Sequence, residues 1–141
     1  MTVVVDASLA IKWVLPEQGT EDALLLRSHW RDALEAVVAP PIFRPEITNA
    51  LLQNVRRGRL GRSAAAEILD ILIPLVEIAE PFGLYDRALE LAAYLALGSI
   101  YDALYLALAE AEGCAMWTAD LRLVRSVQPR FPQIHWLAEP P

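Results

Sequence analysis

Four short, mostly apolar runs, each followed by a segment of helical length, decide what this chain can fold into. They are Thr2-Val3-Val4-Val5, Ala36-Val37-Val38-Ala39, Val76-Glu77-Ile78-Ala79 and Cys114-Ala115-Met116-Trp117-Thr118. Runs this short and this rich in β-branched residues read as buried strands. Strands separated by helices cannot pair as hairpins, so the expected fold is α/β: three layers, with a mainly parallel sheet of four or five strands flanked by helices.

The punctuation between the runs supplies the rest. A helix over 8–14 is stopped by Pro16, and an amphipathic helix covers 20–33. Pro45 suits the first turn of a helix that runs to about Arg57 and ends at Gly58 or Gly61. Ser63 is the expected N-cap of a helix through Leu72. Leu84–Leu97 reads as a helix ended by Gly98. Ser99-Ile100-Tyr101-Asp102 has capping-box spacing and opens a helix that Gly113 closes. A short helical turn follows Asp120, and residues 134–137 suit an edge strand. The chain reads as one domain over 1–141, with 135–141 expected to form a loose tail.

Charge and composition narrow the function classes. The formal charge of −6 argues against a sequence-independent nucleic-acid coat. The apolar content of 55% is high for a lone soluble chain and points to surface kept for another chain. No run reaches the length of a membrane span, and Met1-Thr2 lacks a basic signal-peptide start, so a cytoplasmic location is expected. Cys114 is the only cysteine, which excludes an internal disulfide and a cysteine-built zinc site. His29 and His135 are the only histidines and lack metal-ligand spacing.

Four acids stand apart from the rest. Asp6 ends the first strand and Asp120 follows the fourth, while Glu46 and Asp102 fall in the first turns of two helices. In a parallel α/β sheet these places meet at the carboxyl edge, where such folds bind ligands. Each acid alone could be a helix cap or a partner of the helix dipole, worth about 0.3–1 kcal/mol. Together they make a set of oxygen ligands for Mg²⁺ or Mn²⁺. Asp6 and Asp102 are the expected direct ligands, and Glu46 and Asp120 bind directly or through water. Ser8, Thr118 and Asn49 are spaced to orient these carboxylates from a second layer. Of the 18 acidic residues, the 14 outside this set face 12 basic ones. Among the latter, Arg56, Arg57, Arg59 and Arg62 are grouped tightly enough to track phosphates, or to form an ordinary solvated helix end.

Val-Val-Val-Asp6-Ala-Ser8, Pro45-Glu46-Ile-Thr-Asn49-Ala-Leu, Tyr101-Asp102-Ala-Leu-Tyr-Leu-Ala-Leu-Ala and Thr118-Ala-Asp120-Leu-Arg-Leu, in this order and spacing, resemble the PIN-domain ribonucleases, and among them the VapC toxins of toxin–antitoxin pairs. The resemblance spans nearly the whole chain. It implies a metal-dependent endoribonuclease whose active-site acids match Asp6, Glu46, Asp102 and Asp120. It also implies an RNA substrate, 5′-phosphate products, a homodimer and a VapB-like antitoxin whose tail fills the active-site groove. Some members carry a further acid just after the last one; here Leu121, Arg122 and Leu123 occupy those positions.

Two rivals fit less well. A phosphatase with an aspartyl nucleophile wants a second acid at position 8, where Ser8 stands. A receiver-like signalling domain needs a late lysine, and Lys12 is the only lysine. A PIN-like binding module without catalytic activity is the third alternative, and an assay with and without metal separates it from the enzyme.

Overall fold

The computed structural model describes all 141 residues, Met1–Pro141. Its single sheet contains β1 (Thr2–Val5), β2 (Ala36–Ala39), β3 (Glu77–Ile78), β4 (Met116–Thr118) and β5 (Ile134–Trp136) in the order β3-β2-β1-β4-β5. Every pairing is parallel. Seven helices flank the sheet: α1 (Ala7–Ala10), α2 (Thr20–Asp32), α3 (Phe43–Arg56), α4 (Arg62–Leu72), α5 (Leu84–Tyr94), α6 (Tyr101–Glu112) and α7 (Leu121–Val127). The three-layer α/β architecture expected from the sequence is the one observed.

β1 lies at the centre of the sheet, and Val3, Val4 and Val5 are almost completely buried. A strand covered on both faces has no solvated side to encode, which is why this run does not alternate with polar residues. The same reasoning applies to α6. It packs on β1 and β4, and α5 lies against it. Ala103 through Ala109 are therefore all buried, and the helix is apolar around its whole circumference. No helix is long and apolar enough to cross a membrane.

Several boundaries depart from expectation. α3 begins at Phe43, two residues before Pro45, because proline is tolerated throughout a first turn whose N–H groups lack intrahelical partners. The N-cap of α4 is Gly61 rather than Ser63. α5 stops at Tyr94, and Ala96, not Gly98, takes the left-handed conformation after it, with φ 54°. β3 spans only Glu77–Ile78, and β4 starts at Met116 rather than at Cys114. The capping box at Ser99–Asp102 does not form: Ile100 is the N-cap, and Ser99 Oγ only accepts a long 3.4 Å bond from the Tyr101 N–H. The segment 135–141 is not a loose tail through most of its length. The Leu137 N–H donates to the Thr118 carbonyl at 2.9 Å, and Leu137 is buried. Glu139 accepts from the Trp136 N–H at 3.2 Å and pairs with His135 Nδ1 at 2.9 Å.

Candidate active site

The strand order places a topological switch point between β1 and β4. The chain steps from β1 outward to β2 and β3, then returns to lay β4 on the other side of β1. Crevices at such points, beyond the carboxyl ends of the strands, are where parallel sheets bind ligands. Val5 is in register with Trp117, so Asp6 and Thr118 leave the sheet side by side.

The ends of these two strands are tied into one network. Asp6 Oδ1 accepts from the Leu9 N–H at 3.1 Å, capping α1, and from the Ser8 hydroxyl at 2.7 Å. Asp6 Oδ2 accepts from the Thr118 hydroxyl. Thr118 Oγ1 in turn accepts from the Asp120 N–H at 3.0 Å, and Ser8 Oγ accepts from the Ala119 N–H at 3.1 Å. Asp120 caps α7, its Oδ1 accepting from the N–H groups of Arg122 and Leu123 at 3.1 and 3.2 Å. Both aspartates are thus helix caps through Oδ1; Asp120 Oδ2 accepts no bond, and Asp6 Oδ2 accepts only from Thr118.

Glu46 and Asp102 arrive in the first turns of α3 and α6. Asn49, expected to orient Glu46 from one turn away, is exposed and makes no hydrogen bond to it. The partner of Glu46 is Tyr105, whose hydroxyl donates to Glu46 Oε1 at 2.6 Å. Sequence reasoning missed this tyrosine. The available signal was its spacing: Tyr105 follows Asp102 by three residues, on the same face of α6. Asp102 itself accepts no hydrogen bond, because the capping box that would have turned it back onto the chain is absent.

Burial raises three of the acids, and a neighbouring carboxylate adds to each. Burial pushes Asp6 up to about 6, against the lowering effect of its hydrogen bonds to Thr118, Ser8 and Leu9, with a smaller push from the charge of Asp102. Burial raises Glu46 as well; the Tyr105 hydroxyl offsets part of this and Asp102 adds to it. Asp102 is raised by burial and then by the charge of Asp120. Burial and the charge of Glu46 hold the Tyr105 phenol well above its ordinary range, so it remains a hydrogen-bond donor. The charge of Asp102 acts on both Asp6 and Glu46, and none of the four acids pairs with a cationic side chain.

Carboxylates that are desolvated, mutually repelling and unpaired suit a hard divalent cation, and the free oxygens suit it as well. Asp102 has both oxygens free, Asp120 and Glu46 one each, and Asp6 Oδ2 accepts a single bond. No three of these groups converge closely enough to form a closed ligand cage. Mg²⁺ needs no such cage, since it keeps several waters and commonly takes one or two carboxylates.

The largest cavity, about 540 Å³, lies elsewhere. It is lined by Met1, Thr2, Glu35, Cys114 and both histidines, at the end of the sheet where strands begin. Trp117, bulky for a central strand, is accommodated beside it, edge-on to Trp30 at 6.0 Å and stacked on His135 at 5.0 Å. Arg56, Arg57, Arg59 and Arg62 are exposed at the far end of α3 and in the turn to α4, and none forms an ion pair. Arg56 lies ten residues beyond Glu46, about 15 Å along the helix.

Residues 3–127 match the PIN domain. The chain is 35% identical over 131 residues to the VapC ribonuclease Mb0985 of Mycobacterium bovis, covering 92% of this chain and 94% of that protein. It is 31% identical over 137 residues to ribonuclease VapC3 of Pyrobaculum aerophilum, covering 95% and 98% of the two chains. Among solved structures, PAE2754 from Pyrobaculum aerophilum superposes with a TM-score of 0.72 at 22% identity, covering 97% of this chain and 90% of that one. VapBC2 from Rickettsia felis, solved bound to a DNA fragment from its promoter, gives a TM-score of 0.70 at 14% identity, covering 96% and 97%.

Proposed function

The chain belongs to the PIN-domain family, and from that membership we propose that it is a divalent-metal-dependent endoribonuclease, the toxin of a VapBC-type toxin–antitoxin pair. The observation that carries the reading is the group of acids at the switch point: Asp6, Glu46 and Asp102 are raised by burial, Asp120 charges Asp102, and no cationic side chain offsets them. Asp6 and Asp102 would hold Mg²⁺ or Mn²⁺, with Glu46 and Asp120 reaching it directly or through water. Bound there, the ion supplies a water of lowered pKa and offsets charge on the scissile phosphate.

The protein's own groups do the positioning. Ser8 and Thr118 hold the Asp6 carboxylate from both sides, fixing the direction in which its remaining lone pair points. The Leu9 N–H and the caps of α1 and α7 anchor Asp6 and Asp120 to rigid elements. The test is cleavage of single-stranded RNA by wild type and by Asp102→Asn, with Mg²⁺ and with EDTA. Metal-dependent cutting that Asp102→Asn abolishes supports the reading; its absence from wild type leaves the catalytically silent binding module.

The arginines are proposed to carry the RNA. Four unpaired guanidinium groups begin about 15 Å along α3 from Glu46, within reach of the same strand. Neutralising two of them should weaken RNA binding and reduce its salt slope by roughly 1–2 units. The cleavage rate at saturating RNA should hardly change. A salt dependence identical to wild type would return these residues to the role of a solvated helix end.

Two protein partners complete the proposal. A VapB-like antitoxin covers the groove beside the acids, and a second copy of the chain covers apolar surface on α3 and α4. α4 is rich in apolar residues but buries only Leu72 fully, while Leu52 and Ile71 are 43% and 60% exposed. A homodimer is the commonest closed assembly. Light scattering should therefore report a dimer at micromolar concentration, and Ile71→Asp should shift it toward monomer; a monomeric wild type at high micromolar concentration contradicts this.

A further inference from the structure

We propose that Tyr105 is a positioning residue for the metal site: its hydroxyl occupies Oε1 of Glu46 and so presents that glutamate to the ion through a single oxygen. The inference rests on the functional reading above and adds a residue and a role to it.

Three observations carry it. First, the bond is short, 2.6 Å, and it is the only hydrogen bond the Glu46 side chain receives. Second, the tyrosine ring is 1% exposed, wedged into the core below the acids, so the hydroxyl cannot move with solvent. A half-buried glutamate, which is otherwise free to change rotamer, is thus tied to a rigid point. Third, the bond spans two elements that have other packing partners. α3 packs mainly on α4 and α1, whereas α6 packs on α5, β1 and β4. Tyr105 therefore connects the helix that carries Glu46 directly to the helix that carries Asp102, one turn from Asp102 itself. The phenol also lies close enough to Asp6 to feel its charge.

The consequence is chemical as well as mechanical. A glutamate that already gives one Oε1 lone pair to the phenol is biased toward binding through Oε2 alone, which suits a small octahedral ion. Released from the tyrosine, the same carboxylate can bind through both oxygens, the mode that larger, more flexible Ca²⁺ spheres accept and Mg²⁺ resists. Tyr105 should therefore bias the site toward Mg²⁺.

Tyr105→Phe keeps the buried ring and deletes only the donor. Metal binding to the full-length protein is measured by calorimetry with Mg²⁺ and with Ca²⁺, and cleavage of single-stranded RNA is measured alongside. Mg²⁺ affinity should fall about 10–100-fold, the usual range for losing an outer-shell partner, and Ca²⁺ affinity should fall less, so that the Mg²⁺/Ca²⁺ ratio drops. At saturating metal kcat should fall while KM for RNA stays within about twofold. In a Glu46→Gln background, Tyr105→Phe should add almost nothing, since the two residues act as one unit. Tyr105→Met, also without a hydroxyl, should reproduce the loss and guards against a fault specific to phenylalanine. An unchanged Mg²⁺/Ca²⁺ ratio, or equal losses with and without Glu46, overturns the positioning role while leaving the ribonuclease reading intact. A wild type that binds neither ion removes both.

Discussion

Asp6→Asn should lower RNA cleavage by roughly 10²–10³-fold, the usual cost of deleting one preorganised electrostatic group, and should leave the metal-free protein melting at or above wild type at neutral pH. The two effects have one cause. Asp6 is buried, and its pKa is raised to about 6. That rise of about two units corresponds to roughly 3 kcal/mol. The sign follows from linkage. Below about pH 3 the carboxyl is protonated in both states and its burial costs little, and near pH 4, where the unfolded chain has only begun to ionise it, the cost is still small. Between about pH 4 and 6 the unfolded chain ionises while the folded one resists, so the folded state loses ground as pH rises. Asparagine has no proton to lose. The melting difference between variant and wild type should thus be small near pH 4 and grow toward pH 7, with an upper bound of roughly 10 °C for a domain of this size. Most of the network survives the substitution, because asparagine still offers an oxygen to the Leu9 N–H and the Ser8 hydroxyl. The new amide faces Thr118, whose oxygen already accepts from the Asp120 N–H, and this will consume part of the gain. Melting scans of both proteins in EDTA across this pH range decide the matter. A variant melting well below metal-free wild type at pH 7 would mark Asp6 as a helix cap before anything else.

The architecture was readable in the sequence because burial on two faces leaves a simple signature. Val3–Val5 and Ala103–Ala109 are uninterrupted apolar runs since each is covered from both sides. Helix ends were less readable. Pro45 marks a first turn without marking its first residue, and Gly98 invited a stop that the chain makes at Ala96, in a conformation usually reserved for glycine. Ser8 and Thr118 stood out by their two-residue spacing from Asp6 and Asp120, but that both hydroxyls donate to Asp6 depends on the pairing of β1 with β4, which local spacing does not contain. Asn49 met the same limit: three-residue spacing puts it on the side of α3 that carries Glu46 without aiming it at the carboxylate. Tyr105 was hidden for the opposite reason. Inside Ala-Leu-Tyr-Leu-Ala it reads as core, which its ring is, and nothing local announces that its hydroxyl emerges against Glu46 of another helix, within reach of the charge of Asp6.

Chelation should have the largest effect of all, taking RNA cleavage down to background. The argument comes from what stands near the acids and what does not. Both histidines and Cys114 line the cavity at the opposite end of the sheet. Lys12 is committed to Glu17 and the Gln18 carbonyl, at 3.0 and 2.7 Å. Tyr105 remains a protonated donor. No imidazole, thiol or free ammonium is therefore placed to move protons for a 2′-hydroxyl attack, and carboxylates alone would repel the phosphate they are meant to cleave. A divalent ion reverses that sign and relieves the mutual repulsion of the acids in the same step. At about 100 times its dissociation constant it should stabilise the fold by about 2.7 kcal/mol, a melting shift on the order of 5–10 °C for a domain near this size. Asp6→Asn should gain much less, so the melting order of the two proteins should narrow or reverse when Mn²⁺ replaces EDTA. Activity should return with Mg²⁺ or Mn²⁺, and the products should carry 5′-phosphate ends. Full activity in excess EDTA, or products ending in 2′,3′-cyclic phosphate, would show instead that the 2′-hydroxyl is the nucleophile and that the acids serve another purpose.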